Sequence, residues 1–358
     1  MGAKKRVAIV GATGIAGQQF MPVLSGHPWF EVTRLVASER SAGKSYAEAL
    51  RDPKTGARRW WANEEPPAEI LRLPVEDSRT FEADDVDLVF SAVESDVATS
   101  LEPRYAETTP VVSTASAFRY EEDVPILVPG VNSDHRALLA SQRRRRQWKG
   151  WITPIPNCTT TGLVLALKPV VDAFGARRVL VTSMQGISGA GRSPGVIALD
   201  ILDNVIPFIP NEEEKVARET RKIFGRLGEG TIVPRDMTVS ATCTRAAVLE
   251  GHTEAVSVEL ERPASVEQVT AAMRAFGQGR KLPSAPEHWI IVHEDPFRPQ
   301  PRLDRDAEGG MATSVGRVRV EPAFEHGIKF VLVSHNTKMG AAKGAVLVAE
   351  ELLEAGAF

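Results

Sequence analysis

Pro156-Asn157-Cys158-Thr159-Thr160-Thr161-Gly162 places a thiol between an extended, proline-bearing segment and an apolar, helix-like run over 163–171. A cysteine at a helix start faces unpaired backbone N–H groups and the positive end of the helix dipole. Both favour the thiolate, the nucleophilic form. The same residue type also fills cores as a small apolar group, so the rest of the chain decides between the two readings. A nucleophilic thiol calls for a proton partner, and a charged carbonyl substrate calls for charged anchors. Arg245 and His252 stand seven residues apart, with a Gly251 break between the strand-like segments that hold them. Seven histidines are scattered along the chain, and His252 is distinguished by following that break. Gln185-Gly186-Ile187-Ser188-Gly189-Ala190-Gly191 is a glycine-rich loop after a strand, where backbone can approach a ligand closely.

These groups need a frame. Upstream, 6–10 reads as a strand, Gly11-Ala12-Thr13-Gly14-Ile15-Ala16-Gly17 as a glycine turn and 18–24 as a helix. In that context a GxxGxxG spacing is a dinucleotide turn, with pyrophosphate on the helix start after Gly14. The second strand, 32–37, runs into Ser38-Glu39-Arg40-Ser41-Ala42-Gly43. A carboxylate near this strand end suits the ribose hydroxyl of NAD. Hydroxyls with Arg40 suit a 2′-phosphate instead, so NADP is the expected cofactor and Glu39 is expected to point to solvent. Strands over 86–92, 111–113 and 126–129 alternate with helices over 97–107 and 135–144, which predicts a doubly wound α/β sheet.

After Cys158 the texture changes. Strands are expected over 178–184, 238–249, 253–260, 289–292 and 315–320, with helices over 194–204, 212–224 and 266–276. That pattern predicts an α+β unit with a largely antiparallel sheet. The expected division is 1–157 for an NADP-binding Rossmann-type domain and 158–335 for a catalytic and dimerisation domain. An apolar helix over 341–354, within a final segment 336–358, returns to the first domain.

The bulk properties exclude several classes. A length of 358 residues favours two domains over one core. A net charge of −3 carries no bias toward nucleic acid or anionic membrane. The Arg143-Arg144-Arg145-Arg146 run lacks interleaved aromatics and reads as the solvated end of a helix. Two cysteines 85 positions apart make neither a metal-ligand spacing nor a disulfide framework. No apolar run approaches the roughly 20 residues that span a bilayer, and the short segment before the first strand leaves no room for a signal peptide. The expectation is a cytoplasmic protein with no metal, nucleic-acid or membrane partner.

The glycine turn, the Ser38–Gly43 loop, the Cys158 motif and the Gln185 loop are followed by Asn211-Glu212-Glu213-Glu214-Lys215, Arg245 with Gly251-His252, and Ser334-His335-Asn336-Thr337. In this order, over nearly the whole chain, they resemble the aspartate-semialdehyde dehydrogenases, in particular the branch with archaeal and fungal members. The resemblance implies an NADP-dependent, phosphorylating aldehyde dehydrogenase of amino-acid biosynthesis. Cys158 would form an acyl-enzyme thioester, His252 would be the general acid and base, and Gln185 would orient the acyl group. Arg245 would grip the α-carboxylate and Glu212 would face the ammonium group. Arg119 and Lys215 would bind phosphate, with Asn157 also beside the substrate. Gly11, Thr13, Gly14, Ile15 and Ala16, with Ser38, Arg40, Ser41 and Ser91, would hold NADP. Ser188, Gly189 and Asn336 would lie near its nicotinamide half. A homodimer or homotetramer is implied, formed through the second domain's sheet.

Malonyl- or succinyl-CoA reductases share the implied fold, cysteine and histidine and stand as the alternative. N-acetylglutamyl-phosphate reductase is a second rival, whose acylated amine would not want Glu212. An aspartyl substrate needs a carboxylate for its ammonium group and a compact cationic site for phosphate. Glu212 to Lys215 offers both kinds of charge, although an acidic first turn of a helix with a solvated lysine looks the same. A cofactor-sensing regulator would use the glycine turn but neither Cys158 nor His252.

Overall fold

The structure, a computed structural model, describes residues 3–190 and 198–358. Fifteen strands are defined among them. In chain order, β1 is Lys5–Val10, β2 Phe30–Ala37, β3 Val75–Asp77, β4 Leu88–Ser91, β5 Val111–Ser113 and β6 Ile152–Pro154. Next come β7 Arg178–Gln185, β8 Val205–Ile206, β9 Arg226–Leu227, β10 Ile232–Val233 and β11 Thr238–Ala246. The last four are β12 His252–Glu259, β13 Ile290–Val292, β14 Thr313–Val320 and β15 Gly327–Ser334.

Strands β1 to β6 form one parallel sheet in the order β3-β2-β1-β4-β5-β6. Val7 to Val10 are wholly buried. A parallel sheet is covered on both faces, so its central strand is a continuous apolar run rather than an alternating one. The strand order reverses between β1 and β4, where a doubly wound sheet binds its ligand. The glycine turn sits there. A Cβ on Gly11 would lie 2.4 Å from the Ala92 carbonyl oxygen, and one on Gly17 would lie 2.2 Å from the Gly11 carbonyl oxygen. Glycine is therefore required at both positions. The helix after the turn starts at Ile15, earlier than expected, and is split into Ile15–Gln18 and Phe20–Leu24.

Two further expectations are corrected. Residues 126–129 are buried and extended but form no strand. Pro125 before them and Pro129 at their end supply no N–H to a ladder, and the Val128 N–H goes to Asn132 Oδ1, so Leu127 alone reaches β6, at the Pro154 carbonyl. The outer places in the sheet go instead to the short strands β3 and β6; β6 ends on Pro154, which an edge strand tolerates. The four-arginine run is not simply solvated. Arg146 bonds both oxygens of Asp123 at 2.6 Å and stacks on Trp148, while Arg143 donates to the Ala357 carbonyl.

The second sheet has seven strands in the order β13-β14-β15-β12-β7-β11-β8, and β9 pairs with β10 apart from it. Antiparallel pairing dominates, with parallel contacts at β7/β11 and β13/β14. Strand β15, absent from the sequence reading, pairs with the full length of β12, from His252 opposite Ser334 to Glu259 opposite Gly327. The helix Cys158–Phe174 lies against this sheet, and its Leu163, Leu167 and Val170 share a core with Val179, Val256 and Phe330. Strand β7 alternates: Val179, Val181, Ser183 and Gln185 face the helix, while Leu180 and Met184 face outward and are exposed. The C-terminal helix Ala342–Glu354 returns to the first sheet, packing Ala345, Val346 and Ala349 into one cluster with Val7, Phe20 and Phe90. Of the helix expected over 194–204, Ala198–Ile201 is present and 194–197 lie outside the described residues, as does Gly191.

Candidate active site

Sheet register brings the candidate side chains to one end of the second sheet. Gln185 closes β7 and pairs with Arg245 of β11, while His252 opens β12 opposite Ser334, two residues before Asn336. Asn157 caps the helix that begins at Cys158, its Oδ1 accepting from the Thr159 and Thr160 N–H groups at 2.9 and 3.3 Å. The half-buried Cys158 then presents Sγ 3.1 Å from His252 Nε2. The backbone N–H of Gly186 donates to His252 Nδ1 at 3.1 Å, and the Gly186 carbonyl accepts from Arg245 Nη1 at 2.9 Å. One loop residue thus sets both the imidazole and the guanidinium. Because Nδ1 accepts a bond, the neutral ring carries its proton on Nε2, facing Sγ.

Burial decides the protonation states. It pushes the Cys158 thiol up to about 12; Glu212 pushes the same way, while Arg119, the Thr159 N–H and Arg245 pull it down. The helix start does favour the thiolate as the sequence suggested, but desolvation outweighs it. Burial, then Arg245 and His335, lowers His252 to about 3. Without substrate the pair is therefore a thiol beside a neutral imidazole.

The remaining substrate candidates surround this pair. Glu212 Oε1 accepts from Asn157 Nδ2 at 2.9 Å and from Gln185 Nε2 at 3.0 Å. Lys215, one turn along the same helix, is half-buried and makes no ion pair among the described residues. Arg119 is buried, with Nε on the Ile155 carbonyl, Nη2 on the Thr114 carbonyl and Nη1 on Glu219. Asn157 uses its amide oxygen for the helix cap and its amide nitrogen for Glu212.

On the cofactor side, Thr13, Ile15 and Ala16 are partly exposed and Gly14 is exposed. No side chain caps the helix start at Gly14, so the first N–H groups suit a phosphate. Ser38 and Arg40 are exposed and Ser41 is half-buried. Glu39 points outward and pairs with Arg79 at 2.9 Å. Asn336 ties two loops together: Nδ2 donates to Ser188 Oγ and Oδ1 accepts from the Gly251 N–H, both at 2.9 Å. A Cβ on Gly189 would lie 3.5 Å from both Arg245 Nη1 and His252 Cε1, and 3.6 Å from Asn336 Nδ2. Ser91 is wholly buried at the end of β4, so its side chain belongs to the core and not to the cofactor surface expected for it. No cluster of three His, Cys, Asp or Glu side chains able to hold a metal occurs among the described residues, and no helix there is long and apolar enough to cross a membrane.

Two residues escaped the sequence reading. Glu219 is buried without exposure between Arg119 and Asn157; a glutamate in a charged helix looks solvated until its partners are known. Gly340 lies against the nucleophile, where a Cβ would come within 2.8 Å of Cys158 Cβ and of the Asn336 carbonyl oxygen. Gly340→Ala is expected to displace Cys158, lowering kcat by about tenfold or more, with an overpacking cost of about 1–3 kcal/mol. Steady-state kinetics beside a thermal melt checks this; an unchanged kcat would show that the helix start yields freely.

Residues 6–139 match the semialdehyde dehydrogenase NAD-binding domain family, and residues 167–339 match the semialdehyde dehydrogenase dimerisation domain family. The aspartate-semialdehyde dehydrogenase of Methanothermobacter thermautotrophicus is 45% identical over 351 residues, covering 97% of this chain and 99% of that protein. The Saccharomyces cerevisiae enzyme of the same name is 42% identical over 370 residues, with 99% of each chain covered. A crystal structure of the Candida albicans aspartate-semialdehyde dehydrogenase with NADP superposes with a TM-score of 0.87 at 38% identity, covering 99% of this chain and 100% of that one. With the thiol–imidazole pair at one sheet end, a dinucleotide turn at the other sheet's switch point and likeness along its whole length, the chain belongs to the aspartate-semialdehyde dehydrogenase family.

Proposed function

We propose that the chain catalyses the NADPH-dependent reductive dephosphorylation of 4-phospho-L-aspartate to L-aspartate 4-semialdehyde, a step in lysine, threonine, methionine and isoleucine synthesis. The observation that carries this reading is the 3.1 Å contact between Cys158 Sγ and His252 Nε2, flanked by Gln185, Glu212 and Arg245. Sγ attacks the acyl carbon of the bound acyl phosphate. The S–H and acyl C–O bonds break as S–C forms, and hydrogen phosphate leaves toward Lys215 and Arg119. NADPH, when bound, supplies the hydride that reduces the thioester carbonyl. His252 Nε2–H faces the oxygen that gains charge and donates to it. Collapse of the hemithioacetal alkoxide, held by that hydrogen bond, releases the aldehyde and the Cys158 thiolate, which takes a proton from solvent to restore the thiol. Arg245 anchors the α-carboxylate and Glu212 the ammonium group.

Thr13, Gly14, Ile15 and Ala16 would cradle the pyrophosphate, and Ser38, Arg40 and Ser41 the 2′-phosphate. The division at 157/158 and a cytoplasmic setting belong to the same reading. So does assembly as a homodimer or homotetramer, for which the outward Leu180 and Met184 of β7 suit a second copy.

The deciding assay is phosphate-dependent reduction of NADP by L-aspartate 4-semialdehyde, run beside malonate semialdehyde with CoA. Turnover with the first pair alone is expected, and turnover with the second alone would overturn the substrate assignment. The exposed Ser38–Arg40 loop predicts a kcat/KM for NADP at least tenfold above that for NAD; parity in the same assay would refute the loop's role. Arg245→Lys is expected to raise KM for the semialdehyde by about 10–100-fold with a smaller change in kcat, because an ammonium cannot form the planar fork. A change confined to kcat would place Arg245 elsewhere in the reaction.

A further inference from the structure

The helix Glu212–Ile223 carries two buried glutamates seven residues apart, about two helical turns. Both hold Asn157. Glu212 takes its side-chain amide, as described, while Glu219 Oε2 takes its backbone N–H at 2.6 Å. The other oxygen of Glu219 accepts from Arg119 Nη1 at 2.9 Å and from the Tyr120 hydroxyl at 3.4 Å. One turn further, Lys222 Nζ donates to the Arg119 and Glu121 carbonyls at 2.8 and 2.7 Å. One helix of the second sheet thus grips both the cap of the Cys158 helix and the loop after β5 of the first sheet. A buried arginine–glutamate pair is a poor source of stability, since its desolvation offsets its attraction. Its geometry, by contrast, is specific.

We propose that Glu219 is a positioning residue for the nucleophile, its carboxylate registering the Asn157 peptide and the Arg119 guanidinium on each other. The start of the Cys158 helix and the cationic phosphate subsite are then set by one group. The inference rests on the reaction proposed above for its phosphate arm and on the observed bonds alone for its thiol arm. Glu219 also offsets the charge of Arg119, which itself pulls the Cys158 thiol toward ionisation.

Glu219→Gln removes the charge and turns an amide donor toward either the Asn157 N–H or the Arg119 and Tyr120 donors. Glu219→Asp keeps the charge and shortens the reach. In Glu219→Gln, kcat/KM for phosphate is expected to fall by about a hundredfold. The pH profile of Cys158 alkylation by iodoacetamide, read in the enzyme without substrate, is expected to move to lower pH because Arg119 loses its counter-charge. In Glu219→Asp, kcat/KM for phosphate is expected to fall while the alkylation profile stays at its wild-type position. A merely structural tie would lower melting temperature and move neither readout in this pattern. Wild-type phosphate kinetics with an unshifted alkylation profile in Glu219→Gln would overturn the proposal. If that variant does not fold, wild-type phosphate kinetics in Glu219→Asp would overturn it equally. Should the wild type itself fail to turn over aspartate semialdehyde, the reaction assignment falls, and the alkylation arm still decides the role of Glu219.

Discussion

Cys158→Ala is expected to abolish phosphate-dependent turnover, by about 10⁴-fold or more, while leaving NADP affinity within a few-fold of wild type. The thioester has no other seat: Cys243, the second cysteine, is buried in the second sheet's core. The glycine turn lies on the other sheet and does not contact the thiol, so calorimetric binding of NADP is the control. Residual activity near wild type would refute the nucleophile. The free thiol should also be sluggish. With burial holding it up to about 12, alkylation of the enzyme without substrate is expected to rise about tenfold per pH unit from 7 to 9, because only the thiolate reacts. A plateau in that window would mean that a thiolate–imidazolium pair already exists, and that Arg119, Arg245 and the helix start outweigh desolvation.

His252→Gln is expected to lower kcat by about 10²–10⁴-fold, the range for losing a positioned proton donor. The amide can still reach Sγ, so KM should change less than kcat. Loss confined to KM would reduce His252 to a binding group. The wild-type ring, held at about 3, stays neutral through the physiological range, so kcat/KM should show no limb near pH 6.5 from its protonation. The same depression has a stability consequence. Above about 6.5 the ring is neutral in both folded and unfolded chains and contributes no pH dependence. As pH falls from about 6.5 toward 3 the unfolded chain binds a proton that the folded chain refuses, and stability is lost. At pH 5 the loss from this group is about 2 kcal/mol at most. Denaturant midpoints at pH 7 and 5 should therefore lie closer together in His252→Gln than in wild type, and an equal gap would show that the folded ring titrates near its ordinary value.

Legibility in the sequence followed how local each signal is. Gly11 and Gly17 could be read because the strand–turn–helix context lies within one short segment and a Cβ at either would strike backbone. Gly340 had no such context; its requirement comes from Cys158, far away along the chain. The strand expected over 126–129 failed because burial resembles pairing in an apolar run, whereas a ladder needs N–H groups that Pro125 and Pro129 withhold. Asn157 and Cys158 were marked together by a helix-start motif. The role of Asn157 as cap and anchor emerged only when Glu212 and Glu219, 55 and 62 positions away, closed on it.

The sequence by itself determined the kinds of chemistry: a thiol at a helix start, an imidazole after a strand break, guanidiniums, and a glycine turn shaped for a dinucleotide. Side-chain chemistry and turn geometry belong to single residues and their nearest neighbours, so they survive without a fold. Only the tertiary structure decided that the thiol stays protonated, that the imidazole offers its Nε2 proton, and that Arg119 is shared with Glu219. Desolvation and Coulomb interactions depend on distance through space, and those distances exist only once the two sheets and the helix between them have packed.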